Sequence, residues 1–299
     1  MPLSACAHPR LFCYTVARPR GLEVDLLNLQ WRRSLGVFGC DGFAVFSNTS
    51  NASTNWVSTS TIRGNMDVLI SPRARHGNWD FGNALNAPLF IQIWQAMDID
   101  HLRSRYDWVI KLDPDTVFLP SRMRNLITTS ICRSVRDMDR LVLTVGDTPL
   151  RVHTQPCWIT GPLEAMHISA MRLFQRSLRS CVKLFPPHDF GEDIWTLHCL
   201  CSTAVSEHVQ LGPPLGGRLL IWPEVGLQPV AVPTEGFNRT ASPLSAETVD
   251  HACSMRTPAL HTASSKTIEG FLSGLHQLMD GDGCRPTARH GSRTAQASR

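Results

Sequence analysis

Short apolar runs alternate with amphipathic stretches through the first 120 residues, and that alternation restricts the fold more than any other feature. Leu11–Ala17 reads as a first strand, Gly42–Phe46 as a second and Met66–Ile70 as a short third. Between the first two, Leu22, Leu26, Leu29 and Leu35 recur at nearly helical spacing. Pro88, a good first helical residue, opens a helix with Leu89, Phe90, Ile93, Trp94 and Met97 on one face. A buried strand then follows at Trp108, Val109, Ile110 and Leu112. Strands joined by helices put helical layers over the sheet, so the expected class is α/β: a mostly parallel, Rossmann-like sheet with helices on both faces.

The pattern continues less regularly. Asn48–Ser60 reads as a polar loop, and Leu141–Val145, Cys157–Thr160 and Arg218–Trp222 as further strands. Leu163, Met166, Ala170, Phe174, Leu178 and Val182 make a helical stripe; Ile194–Leu200 is a short apolar helix, and a last helix starts near Ser264 or Ser265. One domain over 11–280 is expected, its halves 11–120 and 121–280 sharing a core. Residues 281–299 hold four arginines against one aspartate, which is +3 of the total formal charge of +4. That stretch is poor in large apolar groups and reads as a disordered basic tail. The remainder is nearly neutral, which argues against a nucleic-acid partner.

Hydrophobic residues make up 42% of the chain and charged residues 18%, as suits a packed globular core. The ten cysteines include no pair of CxxC units, which argues against zinc. They fit a lumenal or secreted protein with several disulfides, and equally a set of buried thiols. Asn48-Thr-Ser, Asn51-Ala-Ser and Asn238-Arg-Thr match the glycosylation pattern, as chance in Ser/Thr-rich stretches also allows. No apolar run reaches the roughly 18 residues a bilayer span needs. Met1–Arg10 is short for a signal peptide, so membrane attachment would need an anchor this chain lacks, and the residues leave a cytosolic location open.

Two carboxylates, Asp113 and Asp115, leave the carboxyl end of the Trp108–Leu112 strand, with Pro114 stiffening the turn between them. Ligands of open α/β sheets bind at that edge, and Mg²⁺ or Mn²⁺ pairs such carboxylates with phosphates. An ordinary strand-end turn accounts for the same residues. Glu192-Asp193 follows Gly191, with nothing obviously basic beside it in the sequence. Either acid could serve as a general base, and both suit the first turn of a helix. His261 could complete a metal shell; Lys266 and Arg18 could meet a phosphate, and all three could be solvated surface groups. Trp158 and Trp195 flank regions where an acceptor could stack, although tryptophan is more often core.

In order, these segments resemble GT-A glycosyltransferases of the β-1,3-galactosyltransferase and Fringe type over roughly residues 11–270. Trp108–Phe118 is similar to their metal-binding DxD segment, and Asp80–Trp94 to their Asp-Phe motif and following helix. Trp158–Met166 occupies the place of their Gly-rich strand-to-helix turn, and Glu192–Leu200 that of their Glu-Asp-Val helix ending in Cys-Leu. This chain has Pro114 where the family usually has a third acid, and Gly161-Pro162 where it has Gly-Gly.

The resemblance implies a Golgi or endoplasmic-reticulum enzyme that moves a hexose from a nucleotide sugar, UDP-linked, to a hydroxyl of a glycan or glycoprotein, with inversion. It implies Mn²⁺ or Mg²⁺ held by Asp115 and His261, with Asp113 reaching the metal or the donor ribose. Arg18 and Lys266 would face the donor, Asp193 would be the base and Glu192 its support. Two other classes fit parts of the pattern. Asp113-x-Asp115 after an apolar strand also suits haloacid-dehalogenase-like phosphatases, though their motif normally lies on the first strand. A non-catalytic carbohydrate-binding pseudoenzyme would bind donor without turnover.

Overall fold

The computed structural model describes residues 7–48, 59–63, 66, 70–71, 83–132, 141–144, 162–201, 220–223, 259–260 and 267–279. Seven strands form one sheet: β1 (Leu11–Val16), β2 (Gly42–Ser47), β3 (Thr59–Thr61), β4 (Trp108–Leu112), β5 (Leu141–Thr144), β6 (Leu163–His167) and β7 (Leu220–Pro223). Their order is β7-β5-β6-β4-β1-β2-β3. β4, β1, β2 and β3 run parallel, as do β5 and β7, while β6 lies antiparallel to both neighbours. The sheet is therefore mostly parallel, and strands from before and after residue 120 share it.

Side-chain alternation assigns the two faces. Phe12, Tyr14, Val109 and Met166 point to one side, where they pack under α2 (Ala87–Ala96), α5 (Ile168–Leu184) and α6 (Glu192–Cys201). Leu11, Cys13, Trp108, Ile110 and Ala165 point to the other, under α1 (Leu22–Arg32) and α4 (Pro120–Leu126). A short helix, α3 (Ile99–Arg105), is capped by Asp98, which accepts from the His101 amide at 3.0 Å. The last helix, α7 (Ile268–Met279), lays Phe271 and Leu275 against Leu26 of α1. Gly21, at φ +96°, supplies the left-handed residue that turns the chain from β1 into α1.

Two disulfides have both of their cysteines among the described residues. Cys13 of β1 bonds Cys40, and Cys181 of α5 bonds Cys199 of α6. The described cysteines include no free thiol, which favours the oxidised alternative over buried thiols.

Several sequence expectations need correction. Of Met66–Ile70, read as a third strand, residues 67–69 lie outside the described residues, and the third strand of the sheet is Thr59–Thr61, at the end of the stretch read as a polar loop. It is an edge strand of β-branched and hydroxyl residues, so it carries no apolar alternation to announce it. Ile70–Ser71 instead pairs antiparallel with Asn83–Ala84. Leu163 and Met166 belong to strand β6, and the helical stripe begins only at Ile168. A strand buried on both faces is apolar throughout, and a spacing of three within it mimics a helix. The last helix starts at Ile268, where Thr267 Oγ1 accepts from the Gly270 amide at 3.0 Å. The Cys157–Thr160 strand, the Asn51 and Asn238 sequons and residues 281–299 lie outside the described residues.

Candidate functional site

β4 delivers the first cluster. At its carboxyl end, Asp113 O accepts from the Thr116 amide at 3.0 Å, closing a turn with Pro114 at its second position. The turn is tied on both sides. Asp113 N and Thr116 Oγ1 donate to Pro162 O, each at 3.1 Å, and Gln30 of α1 donates to Pro114 O at 2.7 Å. Asp113 and Asp115 are half-buried there. Val117–Phe118 then pairs antiparallel with Ala259–Leu260, so the chain at Leu260 runs beside Val117.

α6 delivers the second cluster. Its first residue, Glu192, donates its amide to Asn86 Oδ1 at 2.7 Å, and Asn86 Nδ2 donates back to Glu192 Oε2 at 3.4 Å. The Phe190 carbonyl accepts from the Ala87 amide, so the starts of α2 and α6 are held together. A Cβ on Gly191 would lie 3.0 Å from Asp193 Oδ1 and 3.1 Å from the Ala84 carbonyl, which explains a glycine before the two acids. Asp193 Oδ1 accepts from the Ile194 amide at 2.7 Å.

Lys111, the one charged residue of β4, joins the clusters. Its ammonium donates to Asp113 Oδ1 at 2.7 Å and Glu192 Oε1 at 2.5 Å, and lies 5.2 Å from the centre of the Phe90 ring. The lysine and glutamate side chains are only 3% and 6% exposed. On neighbouring strands, Tyr14 and Glu164 stand in register with Lys111, forming a polar row across the sheet. Tyr14 Oη accepts from Trp94 Nε1 at 2.9 Å. Glu164 is 2% exposed, and its Oε1 has no hydrogen-bond partner among the described residues.

Charge in this space is unbalanced. Burial draws Lys111 toward neutrality, but Asp113, Glu192 and Glu164 outweigh it and hold the amine protonated. Burial then pushes the acids up. Glu192 rises to about 7, with Asp193 and Asp113 adding to the burial effect against Lys111. Glu164 is pushed well above the carboxyl range by burial and by Glu192. Asp193 is raised by burial and by Asp113, with the Ile194 amide and Lys111 opposing. Tyr14 is raised by burial. Near neutral pH the cluster therefore carries exchangeable protons next to a carboxyl-rich turn.

The expected site residues divide accordingly. Asp113, Glu192 and Asp193 are brought together around Lys111, and Asp115 sits in the same turn as Asp113. Arg18 lies just past the carboxyl end of β1, exposed, with its guanidinium 2.8 Å from Glu23 of α1. His261 and Lys266 lie outside the described residues, as does Trp158. Trp195 is not an acceptor platform. It is fully buried, stacks on Trp94 at 5.7 Å and donates Nε1 to the Phe185 carbonyl. Among the described residues, no three His, Cys, Asp or Glu side chains converge to hold a metal ion. Asp113 and Asp115 nevertheless offer the hard oxygen donors that Mg²⁺ or Mn²⁺ shares with substrate phosphates.

Nothing basic adjoins Glu192-Asp193 in the sequence, but the fold brings Lys111 to Glu192 from 81 residues away. Lys111, Glu164, Asn86 and Tyr14 were missed. One signal was available: a lysine or glutamate inside an apolar buried strand needs a partner, and both Trp-Val-Ile-Lys-Leu and Leu-Glu-Ala-Met contain one.

No protein-family model matches this chain, and no curated protein matches its sequence. Among solved structures, one neighbour is described as a glycosyltransferase involved in the glycosylation of the major capsid of PBCV-1. The alignment covers 89% of this chain and 98% of that one, at 12% identity and a TM-score of 0.41. A likeness that loose transfers no chemistry.

Proposed function

We propose that this chain is a metal-dependent glycosyltransferase that moves a hexose from a UDP-linked nucleotide sugar to a hydroxyl of a glycan or glycoprotein, with inversion. The observation that carries the reading is the junction at Lys111. It brings the Asp113-Pro114-Asp115 turn and the Glu192-Asp193 helix start, far apart in sequence, into one site beyond the carboxyl end of a central parallel strand.

In this reading Asp115, with Asp113, would hold Mn²⁺ or Mg²⁺ against the donor diphosphate. His261 would complete the set, since it follows Leu260, which runs beside Val117. The ion, when bound, would stabilise charge on the departing nucleoside diphosphate. Arg18 and Lys266 would meet the donor, Arg18 by exchanging Glu23 for phosphate. Asp193 would accept the proton of the attacking hydroxyl, and its raised affinity for protons suits that task. Glu192, fixed by Lys111 and Asn86, would orient the helix start that carries Asp193. The two disulfides support an oxidising compartment such as the Golgi or endoplasmic-reticulum lumen. Among the described residues, no helix is long and apolar enough to cross a membrane.

The test is a panel of nucleotide sugars with Mn²⁺, scored for nucleoside diphosphate release with and without acceptors. Chelation is expected to abolish turnover and added Mn²⁺ to restore it. Asp115→Asn should weaken Mn²⁺-dependent UDP binding. Asp193→Asn should leave that binding intact and lower kcat by about 10²–10⁴-fold, as loss of a general base does. Full activity in metal-free buffer, or Mg²⁺-dependent hydrolysis of a generic phosphate ester, would overturn the reading. UDP binding without turnover on any acceptor would assign the pseudoenzyme instead.

A further inference from the structure

We propose that Lys111 is the positioning residue of this site, a buried strut that holds the Asp113 turn and the start of α6 at a fixed separation. What the two ends do rests on the glycosyltransferase reading. The strut itself rests on geometry.

Lys111 occupies a place in β4 where the alternation calls for an apolar side chain packed under α2. Its ammonium instead spans a gap between elements: Asp113 is two residues away, and Glu192 is on another layer of the fold. The other ties of the turn run to Pro162 and Gln30, on the β6 entry and α1. The other ties of the α6 start run to Asn86 of the α2 entry and, through Cys181–Cys199, to α5. Among the described residues, those ties fix each cluster to its own surroundings, whereas Lys111 fixes one cluster to the other. A lysine suits the task, because a compact ammonium with three donors can serve two carboxylates from one point, and the Phe90 ring closes the space behind it. An arginine would spread its donors over a plane and displace one partner.

Lys111 touches neither end's proposed substrate, so its loss should act through Asp113 and Glu192 together. Lys111→Met keeps the stem and removes the ammonium. It is expected to weaken Mn²⁺-dependent UDP binding at least tenfold by calorimetry and to lower kcat at least tenfold, with acceptor KM unchanged. Ile127→Val, which trims the core on the opposite face of the sheet, serves as the stability control and should change neither quantity. Lys111→Arg keeps the charge but moves it. It covers the case in which Lys111→Met does not fold, and should show the same fall in kcat.

A ligand-free measurement completes the test. In a double-mutant cycle of Lys111→Met with Glu192→Gln, the unfolding midpoints should be non-additive, the double variant being more stable than the sum of the two single changes requires. Additive midpoints, or Lys111 variants that bind UDP and turn over like Ile127→Val, would overturn the strut. Wild-type protein that binds no UDP with Mn²⁺ would overturn the glycosyltransferase reading instead, and the cycle would then decide the strut alone.

Discussion

Replacing Glu192 by glutamine should make this protein relatively more stable as the pH rises, the reverse of what breaking an ion pair suggests. Four carboxyls, from Asp113, Glu164, Glu192 and Asp193, share one ammonium, and burial raises Glu192 from an ordinary 4.5 to about 7. The folded state therefore keeps this proton over a range in which the unfolded chain has lost it. Stability from the group is complete below pH 4.5 and declines as the pH approaches about 7, beyond which it is flat. At about 1.4 kcal/mol per pH unit, the decline amounts to about 3 kcal/mol. Glutamine resembles the protonated acid and does not titrate. The variant should match wild type near pH 4 and gain up to about 3 kcal/mol on it by pH 7.5. Lys111 is not stranded, because Asp113 and Glu164 remain beside it. Urea unfolding across that range measures the difference. A gap independent of pH, or one that widens in favour of wild type, would refute the claim that burial and acid repulsion outweigh the lysine. In that case the pair would be net stabilising, and the variant should lose about 3–5 kcal/mol.

Three further outcomes probe the supports of the site. Cys199→Ser opens a loop with a sequence separation of 18 and should cost about 3 kcal/mol in denaturant unfolding. Thiol counting on denatured, unreduced protein should find Cys13, Cys40, Cys181 and Cys199 unreactive. Gly191→Ala would drive a methyl group to 3.0 Å from Asp193 Oδ1, so kcat should fall well beyond what a stability loss of about 1–3 kcal/mol explains. Wild-type turnover in that variant would separate Asp193 from the chemistry.

Much of the sheet was legible because β1, β2 and β4 are short apolar runs and α1 and α2 carry one-sided stripes. β3 was hidden because an edge strand of Thr59, Ser60 and Thr61 has no core face to betray it. β6 was misread because Leu163 and Met166 satisfy a helical spacing while lying in a strand covered on both faces. Both acidic clusters were visible as residues, yet their union was not. Periodicity places Lys111 on a sheet face, but only the return of β6 and the docking of α6 decide that Glu164 and Glu192 meet it there. Tryptophan failed in the opposite direction. Trp195 suggested a sugar platform by its neighbourhood, whereas packing with Trp94 and Phe174 makes it a wall of the core.

Burying one ammonium among four carboxyls is a poor way to stabilise a sheet, since apolar residues at 111 and 164 would pack the same space without desolvating charge. The chain nevertheless surrounds the cluster with rigid supports. Trp94 stacks on Trp195, Asn86 pairs with Glu192 in both directions, and Cys181–Cys199 clamps α6 onto α5. The other ion pairs among the described residues lie differently: Arg10–Asp107, Arg18–Glu23, Arg124–Asp41 and Arg172–Asp100 are largely at the surface, where such pairs contribute about 0–1 kcal/mol. Costly charge and dense reinforcement thus coincide at one place, the carboxyl end of β4 under the start of α6. Structural stability accounts for the reinforcement but not for the charge that it confines. A reaction needing a held turn of oxygen donors and a carboxyl ready to take a proton accounts for both.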